Sequence, residues 1–187
     1  KYKIYKVEHH LAHIASAYYL SKFQNTTAAF SYDGSGDAVS IMLAECKDTK
    51  IKILERVFLP KSLGHFYSAV CNYIGFEKFG EEYKVMGLSA YGEDKYFDYF
   101  DNLIGYDEKL CVRQKDIFDY NSINYKKNQI IKFNKNIFLN KKVEKFSQES
   151  KDIAKSLQVT FEKIVMQIIE RLQKKVPSNN LVMAGGC

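Results

Sequence analysis

The sequence predicts an α/β domain, on three observations. Between Thr27 and Leu59, short apolar runs are separated by tight-turn residues, which is the pattern of successive β-strands. A segment with helical spacing follows, from Phe66 to Ile74. A long amphipathic segment over 147–175 then leads into one more short apolar run, so strands and helices interleave. The 187 residues suit one domain or two small ones.

Taken in order, the elements justify that reading. His9-His10-Leu11-Ala12-His13-Ile14-Ala15-Ser16-Ala17-Tyr18-Tyr19-Leu20 is rich in Ala and free of Gly and Pro, so propensity makes it a helix. Gln24-Asn25-Thr26 is a loop. Thr27 to Tyr32 is a buried strand, and Asp33-Gly34-Ser35-Gly36-Asp37 is read as the turn after it. Asp-Gly between two strands is the strongest short-range hairpin signal. Val39, Ile41 and Leu43 alternate with Ala38, Ser40 and Met42 in a second strand. Lys47-Asp48-Thr49-Lys50 turns into a third, with Ile51, Ile53, Val57 and Leu59 assigned to one face and Pro60 ending it.

Past Gly64, the residues Phe66, Ala69, Val70, Tyr73 and Ile74 recur at helical spacing. Gly75 to Gly92 carries four glycines among alternating charges and reads as a loop or short helix. Residues 93–146 are polar, aromatic and Lys/Asn-rich with weak periodicity, and read as an insertion or lid. Ile153, Leu157, Phe161, Ile164, Ile168 and Leu172 form a stripe on a helix from Ser147 to Lys175, which reaches roughly 40 Å at 1.5 Å per residue. Pro177 closes it. Leu181-Val182-Met183-Ala184 is a short strand running into Gly185-Gly186-Cys187. The expected organisation is a core over 1–92, an insertion over 93–146, and the helix with its Gly-Gly strand over 147–187.

Composition excludes several classes. Hydrophobic residues at 46% and charged residues at 27% are globular usage, not that of a disordered chain. No run approaches the ~18 apolar residues of a membrane span, so no membrane partner is expected. The chain opens without a start Met or an export signal, which predicts a cytoplasmic piece of a longer protein. The net charge of +6 invites a nucleic-acid reading. However, Lys outnumbers Arg 25 to 3, and the planar guanidinium forks that grip phosphate and guanine are nearly missing. The stretch from Lys126 to Lys145 is therefore read as a solvated surface, and nucleic acid is not an expected partner. The cysteines at 46, 71, 111 and 187 form no C-x-x-C pair, which excludes zinc ribbons and thioredoxin-type motifs.

Four segments could carry chemistry. His9 and His13 lie at i and i+4, so on a helix their imidazoles share a face and can converge on one ion. His10 points about 100° away and is the poorer ligand candidate. This is not the H-E-x-x-H protease pattern, because Leu11 stands where the Glu base belongs; a surface helix that merely carries histidines is the plainer alternative. In Asp33-Gly34-Ser35-Gly36-Asp37, hairpin chemistry explains much of the composition. The functional reading gives backbone N–H groups beside Gly34 and Gly36 to phosphate, and Asp33 to a cation. Two His and one Asp are the 2-His-1-carboxylate set that suits Fe(II) with open positions. In Gly80-Glu81-Glu82-Tyr83-Lys84-Val85-Met86-Gly87-Leu88-Ser89-Ala90-Tyr91-Gly92, by itself a Gly-punctuated loop, Glu82 offers a carboxylate to ribose hydroxyls and Lys84 a point charge to phosphate. Gly185 and Gly186 after the last strand allow close backbone approach to a nucleotide, as any tight turn would.

In this order the segments His9-His10-Leu11-Ala12-His13, Tyr32-Asp33-Gly34-Ser35-Gly36, Ser62-Leu63-Gly64-His65-Phe66-Tyr67-Ser68-Ala69, Glu82-Tyr83-Lys84-Val85-Met86-Gly87-Leu88 and Leu181-Val182-Met183-Ala184-Gly185-Gly186-Cys187 closely resemble the N-terminal domain of the O-carbamoyltransferase family, which includes nodulation-factor and antibiotic-tailoring enzymes. The resemblance covers most of the chain and is loose over 93–146. It implies an ASKHA fold, the actin/sugar-kinase-like ribonuclease-H-like architecture, here in part: a β-hairpin plus third strand with helices packed on the sheet. It also implies that His9, His13 and Asp33 bind Fe(II) or a similar divalent metal. Gly34, Gly36, Glu82, Lys84, Gly185 and Gly186 would face the nucleotide. The implied reaction moves a carbamoyl group from carbamoyl adenylate, made from carbamoyl phosphate and ATP, to a hydroxyl of a small molecule or sugar.

The catalytic base, a further Asp ligand and the adenylate-forming domain would lie in N- and C-terminal parts of the parent outside these residues. The remaining partner considered is a second copy in a homodimer. Two rivals stand beside this reading: a tRNA threonylcarbamoyl transferase-like enzyme, and a non-catalytic nucleotide-binding assembly module.

Overall fold

The computed structural model describes residues 2–105, 117–134 and 142–187, and its architecture is mixed α/β. The described helices and strands run α1 (His9–Leu20), β1 (Thr27–Gly36), β2 (Val39–Lys47), β3 (Lys50–Phe58), α2 (Leu63–Tyr73), α3 (Glu82–Leu88), α4 (Phe97–Ile104), β4 (Phe118–Asp119), β5 (Lys132–Phe133), α5 (Gln148–Lys175) and β6 (Leu181–Ala184). They divide into two compact units: the residues up to Gly64 with Gln167–Cys187, and His65–Met166. These bounds are those of the compact units and are drawn separately from the sequence segments 1–92, 93–146 and 147–187.

The first unit is a four-stranded sheet in the order β3-β2-β1-β6. β1, β2 and β3 are antiparallel neighbours, and β6 lies parallel to β1 with Ala29 opposite Val182. Opposed residues on adjacent strands share a face. On one face Ala29, Met42, Ala44, Cys46 and Val182 form a buried cluster with Ile14 and Tyr18 of α1. Ser31 pairs with Met42 and so lies on the same face. The other face carries Phe30, Ile41, Leu43 and Val57, all buried. There the C-terminal turns of α5 are tied to β3, Arg171 gripping Glu55 through Nε at 3.2 Å and Nη2 at 2.9 Å.

Two features differ from the sequence expectation. Ile51, Ile53, Val57 and Leu59 do not share one face. Ladder register shifts between Leu43 and Ala44, so Ala44 opposes Ile53 while Leu43 opposes Glu55. The bulge turns the strand over, leaving Ile51 and Ile53 against the α1 cluster and Val57 on the opposite side. Leu59 lies past the end of β3. Nor is Asp33–Asp37 the hairpin turn: β1 continues through Gly36, with a register shift between Tyr32 and Gly36. The reversal falls at Asp37 and Ala38, with φ of 52° and 64°, the pair of positive values that a type I′ turn needs.

In the second unit, α3 and a 3₁₀ turn at Ser89–Tyr91 occupy the glycine-punctuated segment. α4 and the two-residue pair β4–β5 lie within 93–146. Of the basic stretch, residues 135–141 lie outside the described residues. α5 buries Ile153, Leu157 and Ile164 on its apolar stripe. It also holds Asp152, 5% exposed, which accepts from Glu93 N at 3.0 Å and Lys95 Nζ at 2.8 Å and fastens the loop entering α4. Among the described residues no helix is long and apolar enough to cross a membrane.

Candidate metal centre

Helix geometry puts His9 and His13 one turn apart, and the end of β1 brings Asp33 up to them. The two Nε2 atoms are 3.0 Å apart. Asp33 Oδ2 lies 3.2 Å from His9 Nε2 and 3.5 Å from His13 Nε2. Donors about 2.1 Å from a shared ion stand roughly 3.0 Å apart at a right angle and roughly 3.4 Å apart at the tetrahedral angle. The triangle therefore has the size that one divalent ion requires. Its chemistry also fits, two imidazole nitrogens and one carboxylate being the facial set of mononuclear Fe(II) sites. Among the described residues this is the only grouping of three or more His, Cys, Asp or Glu whose ligand atoms come within 4.8 Å of one another.

The side chains are 41% (His9), 31% (His13) and 25% (Asp33) exposed, so one side of the triangle opens outward. Asp33 Oδ1 accepts the Gly34 N–H at 2.6 Å, which leaves Oδ2 to face the imidazoles. Partial burial would raise the Asp33 pKa. The hydrogen bonds from His9 and Gly34 and the nearby imidazole charges outweigh burial and hold it below the usual aspartate value.

Neighbouring groups anchor the helix start and the strand end that carry the ligands. The His9 backbone N–H donates to Asp37 Oδ2 at 2.9 Å, an N-terminal cap delivered from the hairpin tip rather than from α1 itself. Glu8, just before the helix, holds Arg56 of β3 through two bonds of 2.8 Å. His10 is no ligand. It is fully buried, Nδ1 at 2.9 Å from Ser31 Oγ and Nε2 at 2.9 Å from the Val39 carbonyl, and burial pushes its pKa down. On the far side of Asp33, Ser62 Oγ donates to the Gly34 carbonyl at 2.6 Å.

The glycines singled out in sequence have reasons internal to the fold. A Cβ at Gly36 would stand 2.1 Å from His9 Cδ2, one at Gly185 1.8 Å from the Tyr32 carbonyl oxygen, and one at Gly186 2.9 Å from Asp33 Oδ1. Gly64, given no role in sequence, would bring a Cβ within 2.8 Å of Gly34 N. These close approaches pack α1, α2's first turn and the end of β6 around the Asp33 peptide. Glu82 and Lys84 lie in the second unit. Ser68 Oγ donates to Glu82 Oε1 at 2.7 Å, and Lys84 Nζ donates to Glu81 Oε1 at 2.9 Å. His10, Ser62, Gly64 and Asp37 are the supporting residues that sequence reasoning left without a part. Only the clustering of polar residues beside the motifs hinted at them.

The family profile described as Carbamoyltransferase N-terminus matches residues 1–187. The chain belongs to that family. Three relatives match it at modest identity. An uncharacterized protein of Synechocystis sp. is 33% identical over 187 residues, covering 96% of this chain and 29% of the relative. The nodulation protein NolO of Bradyrhizobium diazoefficiens is 31% identical, covering 96% of this chain and 31% of NolO. The nodulation protein NolNO of Sinorhizobium fredii is 30% identical, covering 96% of this chain and 25% of NolNO. This carbamoyltransferase N-terminal chain thus spans between a quarter and a third of the length of those relatives.

Proposed function

We propose that the chain is the metal-holding part of an O-carbamoyltransferase, with an actin/sugar-kinase-like core of the ASKHA type. The run of three antiparallel strands joined by a fourth parallel to the first supports that fold. The parent would move a carbamoyl group from carbamoyl adenylate to an acceptor hydroxyl. The hydroxyl oxygen forms a bond to the carbamoyl carbon and loses its proton to a base of the parent, the bond from that carbon to the adenylate phosphate oxygen breaks, and AMP leaves with the bonding electron pair.

The observation that carries the reading is the 3.0–3.5 Å triangle of His9, His13 and Asp33 in a chain of this family. A divalent ion held there supplies Lewis-acid charge for a phosphoryl or carbonyl oxygen. The protein's part is preorganisation. Gly34 N–H holds one Asp33 oxygen still, Asp37 anchors the start of α1, and the half-open side leaves room for substrate. Within the first unit, the backbone around Gly34, Gly36, Gly185 and Gly186 is assigned to the adenylate's approach.

The test is turnover by the full-length parent given ATP, carbamoyl phosphate and a panel of small-molecule and sugar alcohols. Carbamoylated product from the wild type, falling at least about a hundredfold in His13→Ala, is the expected result. Product formation that is unchanged in His13→Ala and after chelation overturns the metal role. A parent that transfers a threonylcarbamoyl group from its adenylate to tRNA and carbamoylates no simple alcohol selects the threonylcarbamoyl rival.

A further inference from the structure

His10 lies between two half-exposed ligands, yet it has no exposed surface itself. A backbone carbonyl only accepts, so the Nε2 that meets Val39 O at 2.9 Å carries the proton. Nδ1 is then the acceptor for the Ser31 hydroxyl at 2.9 Å. Hydroxyl, imidazole and orienting acceptor stand in the order of a nucleophile and its base. Ser31 and His10 are both at 0% exposure, however, and no substrate reaches that hydroxyl. The chain of bonds is a fastening.

What it fastens is the metal triangle. Ser31 precedes Asp33 by two residues on the face of β1 that α1 covers. Val39 opens β2 immediately after the turn whose Asp37 caps His9. One side chain therefore ties the helix that supplies two ligands to the strand that supplies the third. We propose that His10 is a positioning residue of the metal centre: its two hydrogen bonds set the distance and rotation of α1 over β1 that hold the His9 and His13 Nε2 atoms against Asp33 Oδ2. The role rests on the metal reading above.

Two substitutions separate positioning from plain packing. Phenylalanine fills the ring's space but leaves the buried Ser31 hydroxyl and Val39 carbonyl without the imidazole. Glutamine packs less well but keeps an N–H donor that can reach toward the Val39 carbonyl. If His10 is only filler, His10→Phe outperforms His10→Gln; if it positions, the order reverses.

The experiment is a Co(II) titration of the metal-free full-length parent, followed by visible ligand-field absorption, with metal-free thermal midpoints measured alongside. The wild type is expected to bind one Co(II). His10→Phe is expected to bind at least about tenfold more weakly, with an altered band pattern at saturation. His10→Gln is expected to return near the wild-type spectrum and affinity. Wild-type affinity and spectrum in His10→Phe overturn the positioning role, and so does a loss that His10→Gln fails to rescue. Should His10→Phe not fold, Ser31→Ala, which removes one bond with little change of volume, decides in its place: an altered band supports the role and an unaltered one overturns it. A wild type that binds no Co(II) overturns the metal reading and this role with it, whereas equal binding by wild type and variants overturns this role alone.

Discussion

Gly36 is kept free of a side chain by the imidazole of His9: a Cβ there would stand 2.1 Å from His9 Cδ2 and 2.2 Å from Cγ. The strand that ends in the Asp33 segment and the helix that carries the other two donors meet at this contact. Ring atoms and His9 Cβ, at 2.7 Å, are the obstacles, so a larger residue at 36 displaces the start of α1 together with the ligand.

Gly36→Ala in the full-length parent is accordingly expected to weaken divalent metal binding by at least about tenfold and to lower the thermal midpoint, because His9 Cβ at 2.7 Å moves only with the helix backbone. Isothermal titration with Co(II) or Fe(II) measures it. Unchanged affinity would show that the His9 ring has another rotamer equally suited to the ion.

Asp33→Asn keeps the shape of the third ligand and removes its charge. Metal content should fall from about one ion per chain to well below that, since the neutral amide is a poor partner for a hard divalent cation. Elemental analysis after purification at neutral pH checks this, with His13→Ala as the companion. Equal content in all three proteins would remove the triangle from consideration as a metal site.

How far sequence could go is clearest at the triangle itself. The His9/His13 spacing is a local helical property, and Asp33 stands where an apolar strand ends, so all three were legible. The role of His10 was not, because Ser31 and Val39 come from two strands more than 20 residues away. Gly36 and Gly185 were singled out for backbone approach to a nucleotide, but that His9 and Tyr32 of the same chain would also meet a Cβ there could not be read from the sequence. The hairpin was misplaced because Asp33-Gly34 carries the stronger turn signature, while the actual turn uses Asp37 and Ala38 in a left-handed conformation that Ala seldom adopts. The split face of β3 needed knowledge of a bulge that no periodicity announces. α4 is eight residues of mixed aromatic and acidic character, too short for its period to stand out.

Glu55 gives the stability of the first unit a pH dependence. It is 16% exposed and takes Arg171 at 2.9 Å and Lys175 at 2.7 Å. Burial alone would raise its pKa, but the bonds from Arg171 and Lys175 outweigh it and hold the carboxyl below the usual glutamate value of 4.5. A group depressed on folding stabilises the native state above its unfolded pKa, and loses that contribution as pH falls through its folded pKa. Glu55→Gln is therefore expected to cost about 1–2 kcal/mol at pH 7, with the gap closing below pH 4.5. Urea unfolding at a series of pH values reads it. A gap independent of pH would mean that the pair contributes through packing alone.

Gly185 combines a φ of 137° with the closest backbone approach to β1, 1.8 Å from a built Cβ to the Tyr32 carbonyl oxygen. Backbone cannot yield as a side-chain end can. Gly185→Ala should destabilise by at least about 2 kcal/mol, strain and displacement acting together. Its neighbour supplies the control. At Gly186 the nearest atom is a side-chain carboxylate oxygen of Asp33 at 2.9 Å, so Gly186→Ala should cost less stability and more metal affinity. Thermal unfolding and metal titration of the two variants give this crossed pattern. Parallel losses in both would not fit it.

The hairpin tip offers a prediction of opposite sign. Ala38 sits at φ 64° beside Asp37 at φ 52°, and a left-handed conformation costs an L-residue roughly 1–2 kcal/mol. Glycine removes that strain, but gives back about 0.4–1 kcal/mol through the greater freedom of the unfolded chain. The strain is the larger quantity, so Ala38→Gly should stabilise by a few tenths to about 1 kcal/mol, a rise of roughly 1–4 °C in the thermal midpoint for a chain of this size. A β-branched residue fits the left-handed region worst, so Ala38→Val should lower the midpoint. Asp37 still caps His9 in Ala38→Gly, and metal affinity is expected to stay near wild type there, whereas Ala38→Val disturbs the turn that delivers the cap. A lower midpoint in Ala38→Gly than in Ala38→Val would refute the type I′ geometry and, with it, the route by which the hairpin tip anchors α1.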